Sequence, residues 1–216
     1  MNHFPILFFD LDGTIVDSGE GIMRCASHAL HHYGIEEDWQ QLAKFVGPPL
    51  EDSFIEFYAF PKEKTKEAVT VFRERYFRKG IYEQKLYPGV LEFLKKVKDS
   101  GHLTAITTSK MELQAERVVN DIFPMLAPYF DKIYARDMEG VRHTKADVIR
   151  HAISDLGITD TSEILMIGDR KYDIIGAREC GLKSCGVIFG YGGREELRDA
   201  GADYLVSSYD ELLEIV

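Results

Sequence analysis

Short apolar runs, each closed by a polar cluster and separated from the next by a helical pattern, constrain this chain more than any other feature. The runs are ILFFD (Ile6 to Asp10), LTAIT (Leu103 to Thr107), KIYA (Lys132 to Ala135), EILMIG (Glu163 to Gly168), SCGVIF (Ser184 to Phe189) and DYLV (Asp203 to Val206). None alternates apolar with polar residues, as expected of strands covered on both faces. Helical patterns over Gly89 to Ser100, Met111 to Asp121, Lys145 to Leu156 and Lys171 to Cys180 fall between them. Strand–helix alternation of this kind predicts an α/β fold: a Rossmann-like three-layer core with a parallel sheet.

One connection breaks the rhythm. Roughly ninety residues separate the first run from Leu103, where a single helix would suffice. That stretch reads as helical over Ile22 to Tyr33, Leu50 to Phe60 and Lys62 to Lys79, with Gly34 and Gly80 as helix stops and Pro61 at a helix start. Residues 18–82 are therefore expected to form a small all-helical domain inserted after the first strand, and 1–17 with 83–216 the α/β core. YPGV (Tyr87 to Val90) is the turn through which the chain returns.

In open α/β sheets ligands bind beyond the carboxyl ends of the strands. Polar clusters stand at those ends: Asp10 and Asp12; Thr107, Thr108, Ser109 and Lys110; RHTKADVI (Arg142 to Ile149); and GDRKYD (Gly168 to Asp173). An Asp-Gly turn accounts for Asp12 but not for Asp10, which closes an apolar run. Two carboxylates this close repel, and a hard cation such as Mg²⁺ removes the repulsion. Asp169 and Asp173 fit either a helix cap with an acidic first turn or membership of that cation site. Thr108 and Ser109 fit either caps of a helix starting near Met111 or an anion site at its N-terminus. Thr144 and Asp147 form a capping-box pattern, which puts Lys145 in a first helical turn where the dipole disfavours a cation. A lysine aimed at phosphate would explain the exception.

These four clusters, in this order, closely resemble the motifs of the haloacid dehalogenase superfamily of phosphatases. Asp10 to Thr14 is similar to the D-x-D-G-T first motif, Thr108 to the second, Lys145 to the third, and Gly168 to Asp173 to the fourth. The helical insert resembles the cap of the phosphoglycolate phosphatase-like branch. The resemblance implies a Mg²⁺-dependent phosphatase acting on small phosphate monoesters through a phosphoaspartate. Asp10 would be the nucleophile and Asp12 the acid–base. Asp10, the Asp12 carbonyl and Asp169 would hold the metal, with Asp173 behind them. Thr108, Ser109 and Lys145 would bind phosphate, with Lys110 as a rival lysine. The rigid Gly47-Pro48 bend is the candidate specificity loop.

Two departures weigh against a sugar phosphomutase of the same branch: Gly168-Asp169 replaces its Glu-Asp, and Leu50 replaces the arginine before Glu51-Asp52-Ser53. A pyrophosphatase is the other alternative. In the third motif Ala146 stands where proline is usual. A small phosphorylated metabolite is the expected partner. Nucleic acid and membrane are not, because 26 basic residues against 36 acidic ones leave no basic footprint. Three scattered cysteines without CxxC spacing fit a reducing cytoplasm. No signal peptide is expected, because the first apolar run is short and ends in Asp10.

Overall fold

The computed structural model describes residues 4–216. Six parallel strands form one sheet: β1 (Ile6–Phe9), β4 (Leu103–Met111), β5 (Lys132–Arg136), β6 (Ile164–Gly168), β7 (Lys183–Val187) and β8 (Tyr204–Val206). Their order is β5-β4-β1-β6-β7-β8. The chain moves outward from β1 through β4 to β5, then returns to the other side of β1 for β6. That reversal makes the β1/β6 boundary a topological switch point, where open α/β sheets bind ligands. Phe9 is level with both Ile106 and Ile167. The residues after β1, β4 and β6 therefore emerge side by side.

Both faces of the sheet are buried, which explains the missing alternation. Leu7 and Phe9 enter one apolar cluster, where Phe9 meets the rings of Phe93 and Phe130 edge-on at 6.0 and 5.9 Å. Ile6 and Phe8 enter the opposite cluster with Val148, Ile149 and Ala152. Each fully buried Leu or Phe stabilises the fold by about 1.5–3 kcal/mol. The covering helices are α4 (Val90–Asp99), α5 (Glu112–Arg117), α6 (Lys145–Asp155), α7 (Lys171–Glu179), α8 (Gly193–Ala200) and α9 (Tyr209–Leu213). Among the described residues no helix is long and apolar enough to cross a membrane.

Between β1 and β4 lie α1 (Gly19–His31), α2 (Leu50–Tyr58) and α3 (Lys62–Arg78), with a 3₁₀ turn over Trp39–Phe45. Phe45, Phe54 and Phe60 pack ring against ring at their centre. This helical layer leaves and rejoins the sheet through a two-stranded antiparallel ribbon, β2 (Val16–Asp17) paired with β3 (Lys85–Leu86). Two residues per strand are too few for periodicity to register in the sequence.

Gly34 and Gly80 stand at the expected helix stops, Gly34 with φ +69° just after α1. Gly80 also allows a close crossing: a Cβ there would lie 2.5 Å from Cys25 Sγ, and one on Gly21 would lie 2.1 Å from the Gly80 carbonyl oxygen. Gly21→Ala should therefore lower stability by a net ~1–2 kcal/mol. Overpacking outweighs the gain of about 1 kcal/mol from helix propensity. Urea titration with an unchanged m-value checks this.

Candidate active site

The first site residue is set by strand pairing. Asp10 follows β1 directly, its backbone N–H donating to the Ile167 carbonyl at 2.8 Å, and its side chain is buried. The chain then folds back: Gly13 donates to the Val16 carbonyl and takes φ +79°. Glycine is doubly required there, because a Cβ would lie 2.1 Å from Asp169 Oδ2. Asp169 follows β6 and is fully buried. Its Oδ2 accepts from the Tyr191 N–H at 2.7 Å, whereas its Oδ1 has no partner.

Asp169 does not cap α7, contrary to one sequence-level expectation. The N-cap is Arg170, whose N–H donates to Asp173 Oδ2 at 3.0 Å. The Tyr191 N–H, arriving from the loop after β7, turns the Asp169 carboxylate inward instead.

Carboxylate oxygens of Asp10, Asp169 and Asp173 lie within 4.8 Å of one another. Among the described residues, Lys145 is the cation paired with the cluster. Lys145 Nζ sits 2.8 Å from Asp10 Oδ1, 2.7 Å from Asp173 Oδ1 and 2.8 Å from the Thr107 carbonyl oxygen. The capping box expected around it is present: Asp147 N–H donates to Thr144 Oγ1 at 3.2 Å and Thr144 N–H to Asp147 Oδ2 at 2.9 Å. Lys145 thus stands in the first turn of α6, where its charge is held by carboxylates rather than by the helix.

One ammonium does not balance three buried carboxylates. Burial pushes the Asp10 carboxyl up to about 6 despite the opposing pull of Lys145. Burial, reinforced by Asp173 and Asp10, raises Asp169 well above the usual carboxylate range. Burial alone would lower Lys145, but Asp10 and Asp173 outweigh it and hold the ammonium above its ordinary value. An all-oxygen donor set with excess negative charge, an orphaned Asp169 oxygen and a wall made close by Gly13 suits a hard divalent cation such as Mg²⁺. Asp173 is already engaged by Lys145 and the Arg170 N–H, so Asp10 and Asp169 are the better ligands.

Asp12 turns away from this cluster. Its Oδ2 pairs with Lys110 Nζ at 2.8 Å. Thr108 and Ser109 are not helix caps, the first of the two alternatives for them. β4 continues to Met111, and its register against β5 shifts between Thr107 and Met111. Such irregularities re-aim side chains, and here three polar residues face the site. Thr108 Oγ1 accepts from the Lys110 N–H at 3.2 Å. α5 begins afterwards at Glu112 with no side-chain cap.

Asp10, Asp12, Thr108, Ser109, Gly47 and Pro48 line one cavity of about 650 Å³, including its open mouth. Lys145 reaches it through Asp10, and also lines a neighbouring depression with Ser109 and Pro49. Residues that sequence reasoning passed over line the cavity too. Arg136, at the end of β5, faces Glu51 at 3.6 Å, and Glu51 accepts from Arg73 at 2.9 Å. Arg136 directly follows the KIYA run, so the strand-end rule would have found it. Arg73 and Tyr76 lie within an amphipathic helix and carry no such signal.

Comparison with known proteins identifies the family. A family model described as haloacid dehalogenase-like hydrolase matches residues 7–187. A 5'-nucleotidase from Pseudomonas aeruginosa is 37% identical over 196 residues, covering 90% of this chain and 87% of its own. The pyrophosphatase PpaX of Bacillus velezensis is 30% identical over 212 residues, covering 97% and 94%. The crystal structure of a predicted phosphatase from Clostridium acetobutylicum superposes with a TM-score of 0.93 at 42% identity, covering 98% of this chain and 97% of that one.

Removing Lys145 leaves Asp10 and Asp173 buried without their cation. In metal-free protein at pH above 6, Lys145→Met should cost about 3–5 kcal/mol of unfolding free energy, the usual penalty for breaking a buried pair. Denaturant titration with and without chelator measures it.

Proposed function

The chain belongs to the haloacid dehalogenase-like hydrolase family and is a phosphatase, and from that premise we propose that it hydrolyses small phosphate monoesters through a phosphoaspartate on Asp10, with Mg²⁺ as cofactor. The observation that carries this reading is the division of labour between two carboxylates two residues apart. Asp10 joins the acidic cluster with Lys145, and Asp12 faces the same cavity from a separate pairing with Lys110.

In this reading an Asp10 oxygen attacks phosphorus, and the bond from phosphorus to the ester oxygen breaks. Asp12 gives its proton to the departing oxygen. It then takes one from the water that cleaves the phosphoaspartate, releasing phosphate and restoring Asp10. Acid–base assistance of this kind contributes on the order of 10²–10⁴-fold. Thr108, Ser109 and Lys145 bind the non-bridging oxygens, where charge shifts in the transition state. Mg²⁺ would be held by the carboxylates of Asp10 and Asp169 and the Asp12 carbonyl, with Asp173 behind, and would supply the positive charge that lets an anionic nucleophile meet an anionic ester.

Residues 18–82 serve as a lid that excludes water during transfer and opens for release. In support, Gly47 and Pro48 from this segment share the cavity with Asp10. Nucleoside monophosphates head the list of substrates, since the 37% identical relative is named a 5'-nucleotidase. Phosphoglycolate-type esters follow.

Asp10→Asn should abolish phosphate release, by about 10⁴-fold or more, while far-UV circular dichroism stays unchanged. Retained turnover would refute the covalent route. Product analysis with a sugar phosphate separates the phosphomutase alternative: isomerised ester in place of free phosphate would favour it.

Metal binding requires Asp10 and Asp169 to lose protons that burial makes them keep. Mg²⁺ affinity should therefore fall as pH drops through about 6, by at least about tenfold between pH 7 and pH 5. Thermal-shift titration with MgCl₂ at both pH values reads it directly.

A further inference from the structure

Lys110 is a buried cation that the four-motif chemistry does not use. It lies in the irregular stretch of β4, and its Nζ makes two polar contacts: Asp12 Oδ2 at 2.8 Å and the hydroxyl of Tyr76 at 2.9 Å. All three residues are buried, and all three line the cavity that holds Asp10. The two site lysines divide the carboxylates between them. Lys145 takes Asp10 and Asp173, and Lys110 takes Asp12.

This pairing fixes more than position. An ammonium only donates, so the Asp12 oxygen it holds can only accept. Asp12 Oδ1 is buried and has no partner among the described residues. Any proton Asp12 carries must therefore sit on Oδ1. An acid is effective only when its proton-bearing oxygen is within hydrogen-bond reach of the group it serves. Tyr76 extends the same constraint to the helical layer. It belongs to α3, and its ring is stacked on Phe72 with centroids 5.9 Å apart and planes 16° from parallel.

We propose that Lys110 is a positioning residue that dedicates Asp12 Oδ1 to proton exchange with the leaving oxygen, and that Tyr76 makes this arrangement conditional on the helical layer lying over the site. The proposal rests on the reading of Asp12 as acid–base. With the layer in place, the ammonium is held between Tyr76 and Asp12. With it withdrawn, Lys110 loses one of its two partners and Asp12 loses its fixed orientation.

Leaving-group dependence tests this. In p-nitrophenyl phosphate the departing phenolate needs little protonation, whereas an alkyl phosphate such as glycerol 2-phosphate needs a full proton. The parameter kcat/KM reports the first transfer only. Lys110→Met should lower kcat/KM for the alkyl ester by about 10²-fold, and for the aryl ester by no more than about threefold. For the aryl ester kcat should still fall, because hydrolysis of the phosphoaspartate needs Asp12 again, and KM should fall with it. Tyr76→Phe, which removes one hydroxyl, should show the same selective pattern at about three- to tenfold. Lys110→Arg should recover part of the alkyl-ester rate.

Equal losses on both esters in Tyr76→Phe and Lys110→Met would overturn the proposal and leave Lys110 a structural ion pair. If Lys110→Met fails to fold, Tyr76→Phe decides by the same criterion. Failure of the underlying reading looks different: Asp12→Asn would then hydrolyse the alkyl ester at the wild-type rate.

Discussion

The ammonium of Lys145 touches a residue from each of three places: Asp10 after β1, the Thr107 carbonyl in β4, and Asp173 in the first turn of α7. It is itself brought in by the N-terminus of α6. Four elements thus converge on one buried charge. Without it the site would hold three carboxylates whose mutual repulsion in a water-poor interior costs several kcal/mol. With it, one negative charge is matched and the remaining excess suits a hard cation. A helix N-terminus is a poor home for a lysine, so the fold tolerates a local mismatch there to assemble the cluster. The capping box of Thr144 and Asp147 keeps the helix start intact regardless.

The opposing arrangement at Asp12 follows from the same geometry. Asp10 and Asp12 leave β1 in sequence, yet their carboxylates end on different lysines, because the chain reverses at Gly13 and β4 carries Lys110 to the far side. A repelling pair in the sequence becomes two separately neutralised groups in space. Under the proposed mechanism, that separation would let one act as nucleophile while its neighbour handles protons.

The sheet was legible because its strands are buried on both sides, a state that writes itself as continuous apolar runs at Ile6, Leu103, Lys132 and Ile164. Lys145 was legible for the opposite reason: it violates a local rule, and violations concentrate at functional sites. The irregularity at Thr108 to Met111 was not legible. A Thr-Thr-Ser-Lys run reads equally well as helix caps, and only its pairing with β5 shows that the strand continues. In GDRKYD, Asp173 does lie in the acidic first turn of α7, but Asp169 could be read as its cap or as a site carboxylate. The choice fell to a backbone N–H of Tyr191, twenty-two residues further on, which no local reading could reach. The β2/β3 ribbon and the α8 and α9 helices escaped because they are short and set by tertiary partners.

Among the polar contacts that tie the helical layer to the core, three end on residues in or beside the site. Arg170 donates to the Val46 carbonyl, Tyr76 holds Lys110, and Glu51 faces Arg136. Each ends on a residue in or beside the site: Arg170 adjoins Asp169, Lys110 holds Asp12, and Arg136 closes β5. A net hydrogen bond stabilises by about 0.5–1.5 kcal/mol, so each of these contacts is modest by itself. Apolar packing joins the two layers as well, since Phe54, Phe72 and Tyr76 belong to the same cluster as Leu7 and Phe9. On the proposed reading of residues 18–82 as a lid, opening would have to break these polar contacts, and their partners are groups that a phosphate ester would engage. The position of the layer and the orientation of Asp12 would then be coupled through Tyr76 and Lys110.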